Sequence, residues 1–136
     1  DRQIYLLGGP QDYAMCESLA LGLHHVKVLA GKLTLLQSAA LMSKAEMNYT
    51  NDSAPMHLCS SLNAPVTAVF CSTIPEFGFG PLSERGRVVQ TRANLACKPC
   101  GIHGRSACPK GHFRCMEGHS PQELKLLLQK LQGISL

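Results

Sequence analysis

The chain has 136 residues, 45% of them hydrophobic and 16% charged, with a formal net charge of +4. That balance suits one soluble globular domain with a single packed core. No apolar run is long enough to span a bilayer, and the opening Asp1-Arg2-Gln3 before Ile4-Tyr5-Leu6-Leu7 is not a signal peptide; it reads as the first strand of a domain cut from something longer.

In chain order, residues 4–7 form a short apolar strand followed by the turn Gly8-Gly9-Pro10. Residues 12–23 have helical spacing, with Met15, Leu19 and Leu23 on one face. Residues 26–29 are a second strand ended by Gly31. Residues 34–45 are a second helix with Leu35, Ala39 and Met42 on one face and Thr34 as its cap. A third strand covers 47–50, and a short helix covers 54–62. A fourth strand, rich in β-formers, covers 66–71. Pro75, Gly78, Gly80 and Pro81 make 73–86 a loop, and 88–91 is a fifth strand. Residues 94–118 are irregular and cysteine-rich. Residues 121–131 close the chain as an amphipathic helix, with Ser120 and Glu123 spaced as a capping box. Strands alternating with helices of this length predict parallel strands and right-handed crossovers, hence a doubly wound α/β domain.

The charge is unevenly placed. Between residues 85 and 116 stand Arg85, Arg87, Arg92, Lys98, Arg105, Lys110 and Arg114, with no acidic residue. Such a stretch suits an anionic partner (phosphate, acidic glycolipid, a membrane surface or nucleic acid), and it suits equally a merely solvated loop. Seven cysteines in a chain with a good core and no secretion signal point to reduced thiols in a cytosol rather than disulfides. Cys16, Cys59 and Cys71 fall in apolar patterns and are expected in the core. Cys97, Cys100, Cys108 and Cys115 cluster with His103 and His112. Four sulfurs with one Cys-x-x-Cys pair could hold a structural Zn²⁺, although the spacing is not that of a standard finger; free thiols are the alternative.

In parallel sheets, ligands bind where strands end and helices begin. Two such junctions stand out. Gly8 and Gly9, ahead of Asp12, allow a ligand close to the backbone, though Gly-Gly-Pro is also a common turn. In Asn51-Asp52-Ser53-Ala54-Pro55-Met56-His57-Leu58, Asp52 or Ser53 can cap the helix and Pro55 suits its first turn. The free amides and positive dipole end of that helix form a seat for a pyrophosphate. His57, one turn in, can reach a phosphate oxygen, whereas the natural partner of Asp52 is a sugar hydroxyl. The plainer reading is that Asp52 and Ser53 only cap and that His57 is a surface residue.

With these pieces in order, the chain resembles glycosyltransferase family 9, which includes the heptosyltransferases of lipopolysaccharide core synthesis. The resemblance is carried by residues 4–10, by Gly31-Lys32-Leu33-Thr34-Leu35, and most specifically by Asn51-Asp52-Ser53-Ala54-Pro55-Met56-His57-Leu58. Ala64-Pro65-Val66-Thr67-Ala68-Val69-Phe70 and the loop ending at Gly80-Pro81 extend it. So do Cys97-Lys98-Pro99-Cys100, Cys108-Pro109 and Gly111-His112-Phe113-Arg114-Cys115-Met116, which match a cysteine pattern of many members.

The resemblance implies a Rossmann-like domain, residues 1–136, forming the C-terminal, donor-binding half of a two-lobed GT-B glycosyltransferase. The lobe with the catalytic carboxylate and the acceptor site would be absent, as would upstream residues that bind donor phosphates. Asp52 would contact the donor sugar, Ser53 and the Ala54 backbone would face the diphosphate, and His57 would lie beside it. Leu33 would line the adenine pocket and Asp12 would hold the ribose, with Gly8 and Gly9 also donor-binding. Ala54 stands where the family usually has glycine, and Cys71 and Ile74 replace a usual glycine and aspartate.

The implied reaction moves a sugar from ADP-heptose to a lipopolysaccharide core. It requires no metal or other cofactor, so any zinc would be structural. The implied location is cytoplasmic, at or near the inner-membrane face, as a monomer without nucleic acid. Two rival classes remain: a zinc-supported nucleic-acid-binding module, and a lobe of another GT-B relative such as a nucleotide-sugar epimerase. Phe113 is the only ring between residues 85 and 116, and stacking on nucleic acid needs several.

Overall fold

In the computed structural model, which describes residues 2–117, the chain divides into two compact units, Asp1–Met42 and Ser43–Leu136. The closing helix expected at 121–131 lies outside the described residues. The first unit runs β1 (Ile4–Leu6), a 3₁₀ turn (Pro10–Asp12), α1 (Tyr13–Ala20), β2 (Val26–Val28) and most of α2 (Leu35–Lys44). The second runs β3 (Asn48–Asn51), α3 (Ala54–Ser61), β4 (Val66–Phe70), a 3₁₀ turn (Pro75–Phe77), β5 (Gly86–Gln90) and the single-turn α4 (Arg114–Glu117). Every pairing is parallel, as expected of a doubly wound α/β domain. Among the described residues, five strands form two ladders, β1-β2 and β3-β4-β5.

In the first unit β1 and β2 pair in register from Ile4 with Val26 to Leu6 with Val28. Its core is small: Cys16, Val28 and Ala30, with Leu6 and Ala20 against them. Here the expected face of α1 is corrected. Met15 and Leu19 are 67% and 61% exposed and Leu23 is also exposed, while Cys16 is the buried residue of the helix. The helix ends at Ala20, so Leu23 is not on it, and the small Cys16 and Ala20 let it lie close to β2. On α2, Ala39 and Met42 are buried as expected, but Leu35 is 69% exposed, because it is the first residue of the helix. Thr34 does cap α2. Its Oγ1 accepts the Gln37 amide at 3.3 Å, and the Gln37 side chain accepts the Thr34 amide at 2.8 Å, a reciprocal capping box.

The second unit is better filled. β4 lies between β3 and β5 and is buried along nearly its whole length, which is why Val66–Phe70 reads as a continuous apolar run rather than an alternating one. Met56 from α3 packs with Ala68 and Phe70, and Val88 of β5 leans against them. Cys59, Val66 and Val89 are also fully buried. β5 begins two residues earlier than expected, because Gly86 and Arg87 pair with Val66 and Thr67. Residues 94–113 carry no helix or strand, in keeping with the irregular segment read from the sequence.

Candidate functional site

Parallel pairing sends the carboxyl ends of neighbouring strands to the same edge, and each unit carries its sequence-derived site residues on such an edge. In the first unit the chain leaves β1 through Gly8 and Gly9 and leaves β2 through Ala30 and Gly31. The Gly31 amide donates to the Gly8 carbonyl at 2.9 Å, which holds the two turns side by side. Gly31 has φ +71, and a Cβ there would lie 2.9 Å from the Pro10 Cα, so no larger residue fits this approach. Asp12 closes the first turn: its Oδ2 accepts the Gly9 amide at 2.8 Å. A Cβ on Gly8 would meet that carboxylate at 2.7 Å. Asp12 therefore already has a local task, with its second oxygen unpartnered among the described residues. Leu33, half-buried, sits in the adjoining turn before α2.

In the second unit the chain leaves β3 at Asn51, passes Asp52 and Ser53, and enters α3. Ser53 has the extended backbone of an N-cap, but no side chain caps this helix. The expected cap is thus corrected. The Ser53 hydroxyl donates to the Asn51 side-chain oxygen, and the Asp52 carboxylate turns away to Thr73, whose hydroxyl donates to its Oδ2 at 2.5 Å. Neither side chain folds over the helix start; the Met56 amide donates to the Ser53 carbonyl at 3.0 Å, and the Ala54 amide has no side-chain cap. Ala54 and His57 are exposed, and Met56 between them is fully buried and anchors the turn. Pro55, at the second helical position, brings no amide of its own.

Three elements of this edge were not legible in the motif. Thr73, 7% exposed, lies in the loop after β4, where the sequence shows only a turn-rich run. Lys98, counted among the basic residues of the 85–116 stretch, is a structural tie. Its Nζ donates to the Gln90 side chain at 2.9 Å and to the Phe70 carbonyl at 3.4 Å, and burial lowers its pKa. The other six cations of that stretch are exposed. Ser72 is held by the cysteine-rich segment, the Cys100 amide donating to its carbonyl at 2.7 Å.

That segment surrounds a cavity of about 290 Å³ lined by Cys71, Cys97, Cys100, Cys108 and Cys115, with His112 among them. Cys16 and Cys59 are buried as expected. Cys71 is half-buried instead, because it lies just past the end of β4, where its thiol reaches Met116 at 3.2 Å rather than the core. All seven cysteines are free thiols. Cys97 Sγ stands 3.7 Å from His112 Nε2. Among the described residues, no group of three or more His, Cys, Asp or Glu side chains could hold a metal ion. The thiols nevertheless differ. The Phe113 amide, with those of Lys110, His112 and Gly111, draws the Cys108 pKa down, while burial pushes that of Cys71 up.

Residues 1–108 match the family model described as glycosyltransferase family 9 (heptosyltransferase). The chain belongs to that family. It is 30% identical to lipopolysaccharide heptosyltransferase 2 of Escherichia coli over 93 residues, 65% of this chain and 26% of that protein. It is 29% identical to lipooligosaccharide heptosyltransferase 2 of Campylobacter jejuni over 99 residues, 73% of this chain and 30% of that one. The chain thus spans about a quarter to a third of the length of these two relatives. The solved structure of E. coli ADP-heptose lps heptosyltransferase II superposes with a TM-score of 0.70 at 27% identity, covering 96% of this chain and 36% of that one. A glycosyl transferase family 9 structure from Veillonella parvula, at 24% identity, superposes with a TM-score of 0.74 over 98% of this chain and 37% of that one, which bears on the fold alone. The Rossmann-like α/β fold is that of family 9, and no helix among the described residues is long and apolar enough to cross a membrane.

Proposed function

We propose that this chain is the donor-binding part of a heptosyltransferase that moves heptose from ADP-heptose to a growing lipopolysaccharide core. The observation that carries this reading is the turn at residues 51–57. The motif that carries the family resemblance lies at the carboxyl edge of a parallel sheet, and the helix behind it has no side-chain cap. A diphosphate placed there would meet the positive end of α3, and His57, exposed one turn in, would donate to a phosphate oxygen. As the sugar–phosphate bond breaks, charge builds on the departing ADP, and these fixed donors favour that state over the intact donor. The carboxylate of Asp52 would be repelled by phosphate and takes a sugar hydroxyl. In the first unit, the resemblance assigns Asp12, Gly8, Gly9 and Leu33 to the nucleoside. The base that deprotonates the acceptor hydroxyl is assigned to a part of the enzyme outside this chain. In this reading the enzyme works as a monomer on the cytoplasmic side of the inner membrane, and the exposed cations between residues 85 and 116 face acidic lipid.

ADP titration of the isotope-labelled chain tests the reading. Amide signals of Ser53, Ala54 and His57 are expected to move before others. His57→Ala is expected to weaken ADP by about 1 kcal/mol, one hydrogen bond to a charged oxygen in a wet site. Asp52→Ala is expected to leave ADP binding nearly unchanged, since its partner is the sugar. ADP shifts confined to residues 85–116 would move the anion seat to the basic stretch.

A further inference from the structure

We infer that Thr73 is the positioning residue for Asp52 and so sets how strongly the site distinguishes a nucleotide-sugar from the bare nucleotide. The inference rests on the proposed role of Asp52 as the sugar-binding carboxylate, and adds to it a partner 21 residues away that the motif does not contain.

A carboxylate just ahead of an uncapped helix is drawn towards the helix amides by charge and by hydrogen bonding. Turned that way, Asp52 would give its oxygens to the helix amides and hold neither towards a sugar hydroxyl. The structure shows the opposite arrangement. Asp52 Oδ2 accepts the Thr73 hydroxyl at 2.5 Å, and no side chain caps α3. A hydroxyl donating to an ionised carboxylate is among the stronger neutral-to-charged hydrogen bonds, and this one comes from a residue only 7% exposed. It holds one oxygen of Asp52 and leaves the other to receive a hydroxyl. The contact therefore fixes the direction of the free oxygen.

Thr73 is itself held from behind. β4 ends at Phe70, and its neighbour Ser72 is tied through its carbonyl to the Cys100 amide at 2.7 Å. Gly104, with φ +71, lies so close that a Cβ there would stand 2.5 Å from the Ser72 hydroxyl oxygen and 3.6 Å from the Thr73 methyl. The irregular cysteine-rich segment thus backs the loop that aims Asp52. A buried threonine with a fixed rotamer suits the task better than a free serine, because the packed methyl sets the direction of the hydroxyl.

The test compares Kd for ADP-heptose and for ADP by calorimetry, on the full-length enzyme and its variants. Thr73→Val keeps the shape and removes the donor. It is expected to weaken ADP-heptose about three- to tenfold, with ADP changed less than twofold. Thr73→Ser is expected to restore most of the preference for ADP-heptose. Asp52→Asn is expected to lose the same preference, and Thr73→Val added to Asp52→Asn should cost nothing more. A packing role for Thr73 predicts instead that both ligands weaken together, which would overturn the proposal. Preference lost with Asp52→Asn but intact with Thr73→Val also overturns it. Preference intact with Asp52→Asn would remove the underlying reading of Asp52 instead. Thr73→Ala supplies the same comparison should the valine variant fail to fold.

Discussion

The two units use one pattern, a strand, a helix and a parallel strand, and fill it very differently. Around β4 the second unit buries Phe70, Met56, Val66, Val89 and Cys59 almost completely. Around β2 the first unit buries Cys16, Val28 and Ala30, with Ala39 and Met42 of α2 also buried, and leaves Met15, Leu19 and Leu21 largely exposed. Its order comes more visibly from turn hydrogen bonds: Gly31 to Gly8, Gly9 to Asp12, and the Thr34–Gln37 capping box. The lesson is that periodicity can place a helix correctly without showing which of its faces carries the energy. Buried volume does that, and it resides in the second unit.

The largest expected effect tests this contrast directly. Phe70→Ala empties the centre of the second unit and should cost about 3–5 kcal/mol in denaturant unfolding. Cys16→Ala, the matching change in the first unit, removes one sulfur from a thin core and should cost about 1 kcal/mol. Equal losses would erase the distinction.

A second prediction uses pH. Burial pushes the Cys59 thiol from its ordinary value of 9.0 up to about 11. Between those values the unfolded chain loses this proton while the folded one keeps it. The stability it contributes is therefore full below pH 9.0 and is lost as pH rises towards about 11. The loss should amount to about 2–3 kcal/mol at most. Urea midpoints of wild type and Cys59→Ala, compared across this window, isolate the effect, because other groups titrate alike in both. A wild-type curve no steeper than that of the variant would show that the second unit admits water at its core.

The smallest effect belongs to the first unit. Thr34→Ala removes the hydroxyl that accepts the Gln37 amide and should cost about 1 kcal/mol. Gln37→Ala should cost less, since an exposed backbone amide is left for water to satisfy. If neither variant shifts the unfolding midpoint, local capping contributes nothing there and the thin core carries the unit.

Much of the molecule is legible in the sequence. The five strands were readable because β-formers cluster between turn residues, and the parallel pairing because helical spans separate them. The family was readable from the run at residues 51–58, which residues 1–108 as a whole support. The outward face of α1 was not, because hydrophobicity ranked Met15 and Leu19 above Cys16, while close approach to β2 favours the smaller side chain. The caps at Asp52 and Ser53 were misread for a related reason. Local propensity names the nearest amides as partners, but Thr73 and Asn51 outcompete them.

By itself, then, the sequence determined the elements, their parallel arrangement and the family, because periodicity, turn chemistry and motif spacing are local properties. Only the tertiary structure decided which side chains those residues meet. It put Thr73 on Asp52, Lys98 across the ends of β4 and β5, Cys71 at a cavity rather than in the core, and the cysteine-rich segment behind the loop at Ser72. Each of these contacts joins residues distant in the chain through parallel strands that end at a common edge, and no pattern along the chain encodes which of them meet.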